Sequence, residues 1–267
     1  MRPYQPIPII TINHRTMTNI FLLGGYDLEM LEIKRLLENH SALFFDHHLN
    51  WSNANLSSYS HLFTSQPAAH YYGIELHEDC PPPIHYTRID HHNDLHNLPA
   101  AILQVTSLLN ISPNRHIHLV AANDSGYIPA MQALGATKQE IHRIRHLDRA
   151  AQGVTQLDEQ LADYSITHNK TTIGQQLTIV QSLTPHFSAI CDRLYPYLRL
   201  LIYNDTEWVY YGEGKEALTI ELDSLIQSGR IYHGGGPKGY IGAAKGMFSK
   251  QEIFQFITSI QHRYEQV

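Results

Sequence analysis

The sequence predicts an α/β protein of two domains, the larger built on a mostly parallel sheet. Three observations lead there. Short apolar runs alternate with longer segments of helical periodicity over the first 168 residues, the pattern of strands joined by crossover helices. Acidic residues recur where apolar runs end, at Asp27, Asp46, Asp90 and Asp124. The texture then changes at Asn169 to Gly174, a polar stretch without clear periodicity that reads as a linker between residues 1–168 and 175–267.

After a Pro-rich lead (Met1 to Pro8), Asn19 to Leu23 reads as a buried strand bounded by Gly24-Gly25. Asp27 to Asn39 carries Leu28, Leu31, Leu36 and Leu37 at helical spacing, with Asp27 placed as an N-cap. A second strand, Ala42 to Phe45, runs into Asp46-His47-His48. Leu49 to Ser65 reads as loop with some short helix, and Tyr71 to Leu76 as a third strand. Pro81-Pro82-Pro83 forces an extended connection to a strand over Ile84 to Ile89, which ends in Asp90-His91-His92. Leu98 to Asn110 reads as a helix, and His116 to Ala122 as an apolar segment of open type that leads into Asn123-Asp124-Ser125-Gly126. Thr137 with Glu140 three residues on is a capping-box pattern, opening a helix to Ala150; Thr155 to Thr167 is a further helix. Beyond the linker come strands at Leu177 to Gln181, Leu200 to Tyr203, Trp208 to Tyr211 and Tyr240 to Ala244. Helices are expected at His186 to Tyr195, Ala217 to Gln227 and Lys250 to Arg263.

Composition narrows the function classes. Hydrophobic residues at 43% and charged residues at 16% suit a soluble globular protein. A net charge of -6 argues against a protein that grips long nucleic acid by neutralising phosphates. The two Cys, Cys80 and Cys191, give neither disulfide nor zinc spacing. No apolar run has membrane-spanning length and no leader is read at the N-terminus, so a cytoplasmic protein without a membrane partner is expected.

The chemistry concentrates in Asp90-His91-His92, at the carboxyl end of a strand where α/β sheets bind ligands. A hard oxygen beside an imidazole nitrogen suits Mn, Fe or Zn. Carboxylates brought together without a counter-charge oppose one another's ionisation, and metal ions remove that penalty. Two ions about 3.5–4 Å apart can activate water and hold a phosphoryl oxygen together. The three glycines Gly234-Gly235-Gly236, with Lys238 beyond, can bring backbone N–H groups close to an anion. Arg143, Arg145 and Arg149 read as a solvated helix face, and the pairs Tyr71-Tyr72 and Tyr210-Tyr211 as half-buried strand residues.

Asp90-His91-His92-Asn93 resembles the defining motif of the DHH phosphoesterases, in their DHH–DHHA1 subgroup. Asp27-Leu28-Glu29 resembles the first motif, with Glu29 where a second Asp is usual. Asn123-Asp124-Ser125-Gly126 resembles the fourth, and Gly234-Gly235-Gly236 with Gly242-Ala243-Ala244 the glycine-rich loop of the smaller domain. The His-Pro-Asp approach to the first motif is here Gly24-Gly25-Tyr26-Asp27, without the usual His. The second motif, a lone Asp at a strand end, falls on Asp46, with Asp79 as its rival. The C-terminal loop has Pro237-Lys238 where a His often follows the glycines.

The resemblance implies that Asp27, Glu29, Asp46, Asp90, His91 and Asp124 hold metal, with Asp90 bridging. His47 and His48 stand either as added ligands or as turn residues. His92 then acts beside the leaving group, as electrostatic stabiliser or general acid, or orients a ligand from behind. Residues 1–168 form a DHH-like metal-binding catalytic domain. Residues 175–267 form a DHHA1-like substrate-binding domain across a cleft, with Gly234, Gly235, Gly236 and Lys238 contacting substrate. The expected cofactor is two Mn ions, with Mg or Co as substitutes. The expected activity is hydrolysis of a phosphoester in a small nucleotide or short oligonucleotide by metal-activated water. Inorganic pyrophosphatase activity and a non-catalytic nucleotide-binding role are the alternatives, and a homodimer stays open.

Overall fold

The structure, a computed structural model, describes residues 17–265, so the Pro-rich lead lies outside the described residues. The chain divides into two compact units, Met1–Ser125 and Gly126–Val267, each with its own sheet.

The first unit contains β1 (Asn19–Leu22), α1 (Leu28–Asn39), β2 (Leu43–Phe45), α2 (Ser60–Ser65), β3 (His70–Ile74), β4 (Tyr86–Ile89) and α3 (Ala101–Leu108). The strands are all parallel, in the order β2-β1-β3-β4, as the alternation predicts. Their pleat sends alternate side chains to opposite faces. Ile20, Leu22 and Tyr71 pack with Leu56, Tyr59 and Leu62 on one face. Phe21 and Tyr72 stack on the other, with ring centroids 4.9 Å apart. Fully burying a side chain such as Ile20 stabilises by roughly 1.5–3 kcal/mol. Asp27 is the N-cap of α1, accepting from the Met30 amide at 2.9 Å, as its position suggests.

The segment His116 to Ala122 is helical, part of α4 (Arg115–Ala133). Its regular backbone breaks at Gly126 and Tyr127, where Tyr127 takes a φ of 59°. Asp124 therefore stands on a helix just before that break, not at the end of a strand.

The second unit holds α5 (Lys138–Ala151), α6 (Gln156–His168), β5 (Lys170–Ile173), β6 (Leu177–Gln181), α7 (Ser188–Leu194), β7 (Arg199–Tyr203) and β8 (Trp208–Gly212). It continues with α8 (Lys215–Glu221), α9 (Asp223–Gln227), β9 (Ile231–Gly234), β10 (Tyr240–Ala243) and α10 (Lys250–Glu265). The sheet order is β5-β6-β7-β8-β10-β9, parallel only between β6 and β7. Leu177, Ile179, Leu201, Trp208 and Tyr210 face α8 and α10, where Leu218, Ile253, Ile257 and Ile260 meet them. Val180, Leu200, Ile202 and Val209 face Ala162 of α6 and the α7 residues Ala189, Ile190 and Cys191.

Three sequence expectations need correction here. The polar stretch read as a linker is strand β5, paired antiparallel with β6. Its turn places Gly174 (φ 54°) and Gln175 (φ 57°) in the left-handed region, which matches the twist of a tight hairpin. Ala217 to Gln227 forms two short helices rather than one, and β9, not expected from the sequence, runs into the first of the three glycines. Arg145 and Arg149 are buried rather than solvated. Arg145 Nε lies 3.1 Å from Asp192 Oδ2, and Arg149 Nη1 and the Tyr127 hydroxyl also donate to that carboxylate. Helices α5 and α6 pack against α7 within this unit.

Candidate metal centre

The site grows from the carboxyl edge of the parallel sheet. After β1 the chain turns through Gly24, where a Cβ would stand 2.4 Å from the Ile74 carbonyl and 2.5 Å from that of Glu75. Only glycine permits this approach, and it brings the start of α1 beside the end of β3. Glu75 follows β3 directly with a φ of 51°, unusual for a residue with a side chain, and its amide donates to the Ile89 carbonyl at 2.9 Å. β4 delivers Asp90, His91 and His92 beside it, and α4 adds Asp124.

His91 Nε2 lies 3.4 Å from Glu75 Oε1 and 3.8 Å from Glu29 Oε2, with Asp124 Oδ2 in closest contact. Ligand atoms of Glu75, His91, His92 and Asp124 all lie within 4.8 Å of one another. Glu29 divides its carboxylate: Oε1 accepts from the Ile102 amide at the start of α3 (3.0 Å), while Oε2 faces His91. Glu29 Oε2, both oxygens of Glu75, His91 Nε2 and Asp124 Oδ2 are buried without a hydrogen-bond partner. Native proteins rarely leave such atoms unsatisfied, so each calls for an explanation.

The electrostatics agree. Burial drives the Glu75 carboxyl well above its ordinary range; Glu29, Asp124 and Asp27 add to the shift, and His91 opposes it. Burial likewise raises Glu29, with Asp124 adding, against His91 and the Ile102 amide. Burial would depress His91, but Asp124, Glu29 and Glu75 outweigh it and push the imidazole up to about 12. Three acids crowd one imidazole, and two of them, Glu29 and Glu75, resist ionisation there. A divalent cation fits this donor set, because it would satisfy the orphaned oxygens and remove their mutual repulsion. Oxygen ligands with imidazole suit Mn, Mg, Fe or Zn.

Asp90 does not join the cluster. Its Oδ1 accepts from the His92 amide (2.9 Å) and Nδ1 (3.0 Å), and its Oδ2 from Arg88 Nε (3.1 Å) and Nη2 (2.5 Å). Burial opposes its ionisation, yet the bonds from His92 and Arg88 prevail and hold the carboxyl far below its usual range. Both oxygens of Asp90 are thus engaged by Arg88 and His92, and Asp90 lies outside the group that the expected bridge would join. His92 in turn tilts against His91, with centroids 4.3 Å apart.

Asp46 is placed elsewhere too. Lys34 Nζ donates to its Oδ2 at 2.8 Å and the His48 amide to its Oδ1 at 2.8 Å, and it is not among the clustered residues. Asp79 is exposed and bonded to Ser57. His47 stacks on Tyr59 at 4.3 Å, and His48 lies 3.5 Å from Asp46; neither belongs to the cluster. The acid that the structure does bring into the cluster is Glu75, which lies inside the stretch Tyr71 to Leu76 that reads as a strand. Asp27, buried and capping α1, borders Glu75 without belonging to the group.

In the second unit, Gly234 closes β9, and residues 235–239 loop to β10. Gly235 (φ 69°) and Gly236 (φ 67°) are left-handed, as a tight loop demands. Lys238 is exposed and pairs with Glu213 at 3.1 Å.

No family model matches the sequence, and no curated protein matches it. Solved structures do. The DHH domain of a protein described as a member of a ribosomal-protein family matches 91% of this chain and 86% of its own, at 11% identity and a TM-score of 0.52. RecJ from Thermus thermophilus, in complex with Mn2+, matches 93% of this chain at 12% identity and a TM-score of 0.45. This chain covers 52% of that RecJ, about half its length. An exopolyphosphatase-related protein from Bacteroides fragilis matches 94% of each chain at 10% identity and a TM-score of 0.45. The fold is that of a DHH domain.

Proposed function

We propose that this protein is a divalent-metal-dependent hydrolase of phosphoesters, acting with Mn on a small nucleotide or short oligonucleotide. The observation that carries the reading is a set of five buried ligand atoms on Glu29, Glu75, His91 and Asp124 that crowd one another without a well-formed hydrogen bond. Glu75, His91 and Asp124 would hold the metal, with His92 within the same group and Glu29 facing it from α1. Bound divalent ions supply Lewis-acid stabilisation of phosphoryl oxygen and lower the pKa of water.

The chain's own groups divide the remaining work. Arg88 fixes Asp90, and Asp90 accepts a hydrogen bond from His92 Nδ1–H, leaving Nε2 as the working nitrogen of that ring. His92 has a half-open side chain, 40% exposed, and can meet a substrate oxygen as hydrogen-bond donor or general acid. Burial of Glu29, Glu75 and His91 keeps solvent from their ligand atoms. Gly235 and Gly236 suit close backbone approach to an anion, and we assign substrate binding to Gly234, Gly235, Gly236 and Lys238. That role asks Lys238 to exchange Glu213 for substrate.

Mn2+ calorimetry and a panel of small phosphoesters test the proposal together. Saturable Mn2+ binding lost in Glu75→Gln, with turnover of a nucleotide phosphoester, is the expected result. Turnover of pyrophosphate alone would favour a pyrophosphatase, and metal binding without any turnover a nucleotide-binding role.

A further inference from the structure

Beside the acidic cluster stands a large aromatic side chain that nothing above uses. Trp51 lies in the polar loop between Leu49 and Ala54, both buried in the first unit's core. The loop is internally fixed: the Asn53 amide donates to the Asn50 carbonyl at 2.9 Å, the Asn50 amide to Asn53 Oδ1 at 2.7 Å, and the Ser52 amide to Asn50 Oδ1 at 2.9 Å. Yet the indole is 50% exposed. Tryptophan is highly buried on average, so a half-open indole on a rigid turn calls for a reason.

Its placement supplies one. A Cβ on Gly25 would stand 2.7–3.0 Å from Cδ2, Cε3 and Cε2 of Trp51, so the six-membered ring presents one face to the Gly25 backbone. The face turned away from Gly25 is not covered by that glycine. The ring also meets His92 edge-on, with centroids 5.9 Å apart and planes at 72°. A flat apolar surface, backed by glycine and next to the imidazole assigned to the phosphoester, is the arrangement that receives a planar ring attached to a phosphate.

We infer that Trp51 is the stacking platform for the nucleobase of the substrate, which sets the substrate class as nucleotides rather than pyrophosphate or sugar phosphates. The inference rests on the phosphoester reading above. Base–aromatic stacking tolerates any base, so the platform selects for a base without selecting among bases. Gly25 is the matching positioning residue, because a side chain there would lift the indole.

The test uses the full chain with Mg2+, and 5′-AMP and ribose 5-phosphate as probes read on mixing. The sequence holds two tryptophans, and Trp208 is 1% exposed, so fluorescence quenching by the ligand reports on Trp51. The expected result is quenching by 5′-AMP and not by ribose 5-phosphate. By calorimetry Trp51→Ala raises the Kd for 5′-AMP roughly tenfold, within the range of one stacked base. Trp51→Phe restores most of the affinity, Gly25→Ala weakens it, and none of the three changes the Kd for ribose 5-phosphate. Equal affinity for the two probes in the parent protein, no binding of either, or equal weakening of both by Trp51→Ala overturns the platform. A base preference lost in Trp51→Ala, in a protein that turns over no phosphoester, leaves the platform standing and removes the hydrolase reading instead.

Discussion

His91 Nε2 and Glu75 Oε1 lie 3.4 Å apart without a well-formed hydrogen bond between them, while Asp124 Oδ2 presses on the same nitrogen. An acid and an imidazole so close would ordinarily share a proton along a straight bond. Here both are aimed into a common space that Glu29 and Asp124 also face.

Glu75→Gln keeps the shape of the side chain and removes its charge. We expect Mn2+ affinity to fall by about 100-fold, the upper end of what supporting groups at metal sites contribute. At a pH where Glu75 is ionised, the metal-free variant should melt at a higher temperature than its parent, because a buried like charge is gone. Calorimetry and thermal denaturation with chelator check both signs. Asp46→Asn is the control: affinity should not change, and stability should drop by no more than about 1 kcal/mol, the loss of one partly exposed ion pair.

Metal-free stability should decline as pH rises. Glu29 and Glu75 have carboxyls raised above their ordinary value, so the folded protein binds more protons than the unfolded chain once pH exceeds about 4.5, and its advantage shrinks as they ionise. His91, raised to about 12, adds stability that is complete below the unfolded value near 6.5 and lost as pH climbs toward 12. Melting curves in chelator from pH 5 to 9 should therefore fall, and saturating Mn2+ should flatten them. A rising apo curve would contradict the charge balance of the cluster.

Asp90→Asn should slow turnover by about 10–100-fold through loss of His92 orientation, while Mn2+ affinity changes less than in Glu75→Gln. Steady-state kinetics on the metal-saturated variant separate the two effects. Affinity lost equally in both variants would return Asp90 to the ligand set.

Gly24→Ala should destabilise the fold by roughly 1–3 kcal/mol, since the new methyl would press on two backbone carbonyls that cannot rotate away. The shift reaches Glu75 directly, so Mn2+ binding should weaken along with urea resistance.

In the second unit, Asp192→Ala should cost about 3–5 kcal/mol, because it leaves the buried Arg145 and Arg149 short of their shared carboxylate. Urea denaturation measures it.

The parallel sheet was legible because its strands are short apolar runs, each closed by a glycine, a proline or an acid. The Asp27 cap and the Thr137 capping box were legible because they are local. Where pairing depends on a distant partner, sequence said less. Lys170–Ile173 is polar and becomes a strand only through β6, and Arg145 looks solvent-bound until α7 brings Asp192 to it. The site divides in the same way. His91 and Asp124 follow from motif position, and Glu29 was included for the same reason. Glu75 was hidden because apolar residues flank it on both sides, Ile74 and Leu76, and a strand pattern absorbed it. Asp46 and Asp90 look like ligands by type and place; only the geometry shows Lys34 and Arg88 already engaging them.

Glu29, Glu75, His91 and Asp124 come from α1, the ends of β3 and β4, and α4, widely separated along the chain. A cation gripped by all four would be a cross-link that no covalent bond provides, closing three consecutive loops of the first unit at one point. Loop closure removes freedom mainly from the unfolded chain, and its effect grows slowly with loop length. Metal supply would then govern how long this unit survives between synthesis and degradation, quite apart from any reaction it performs.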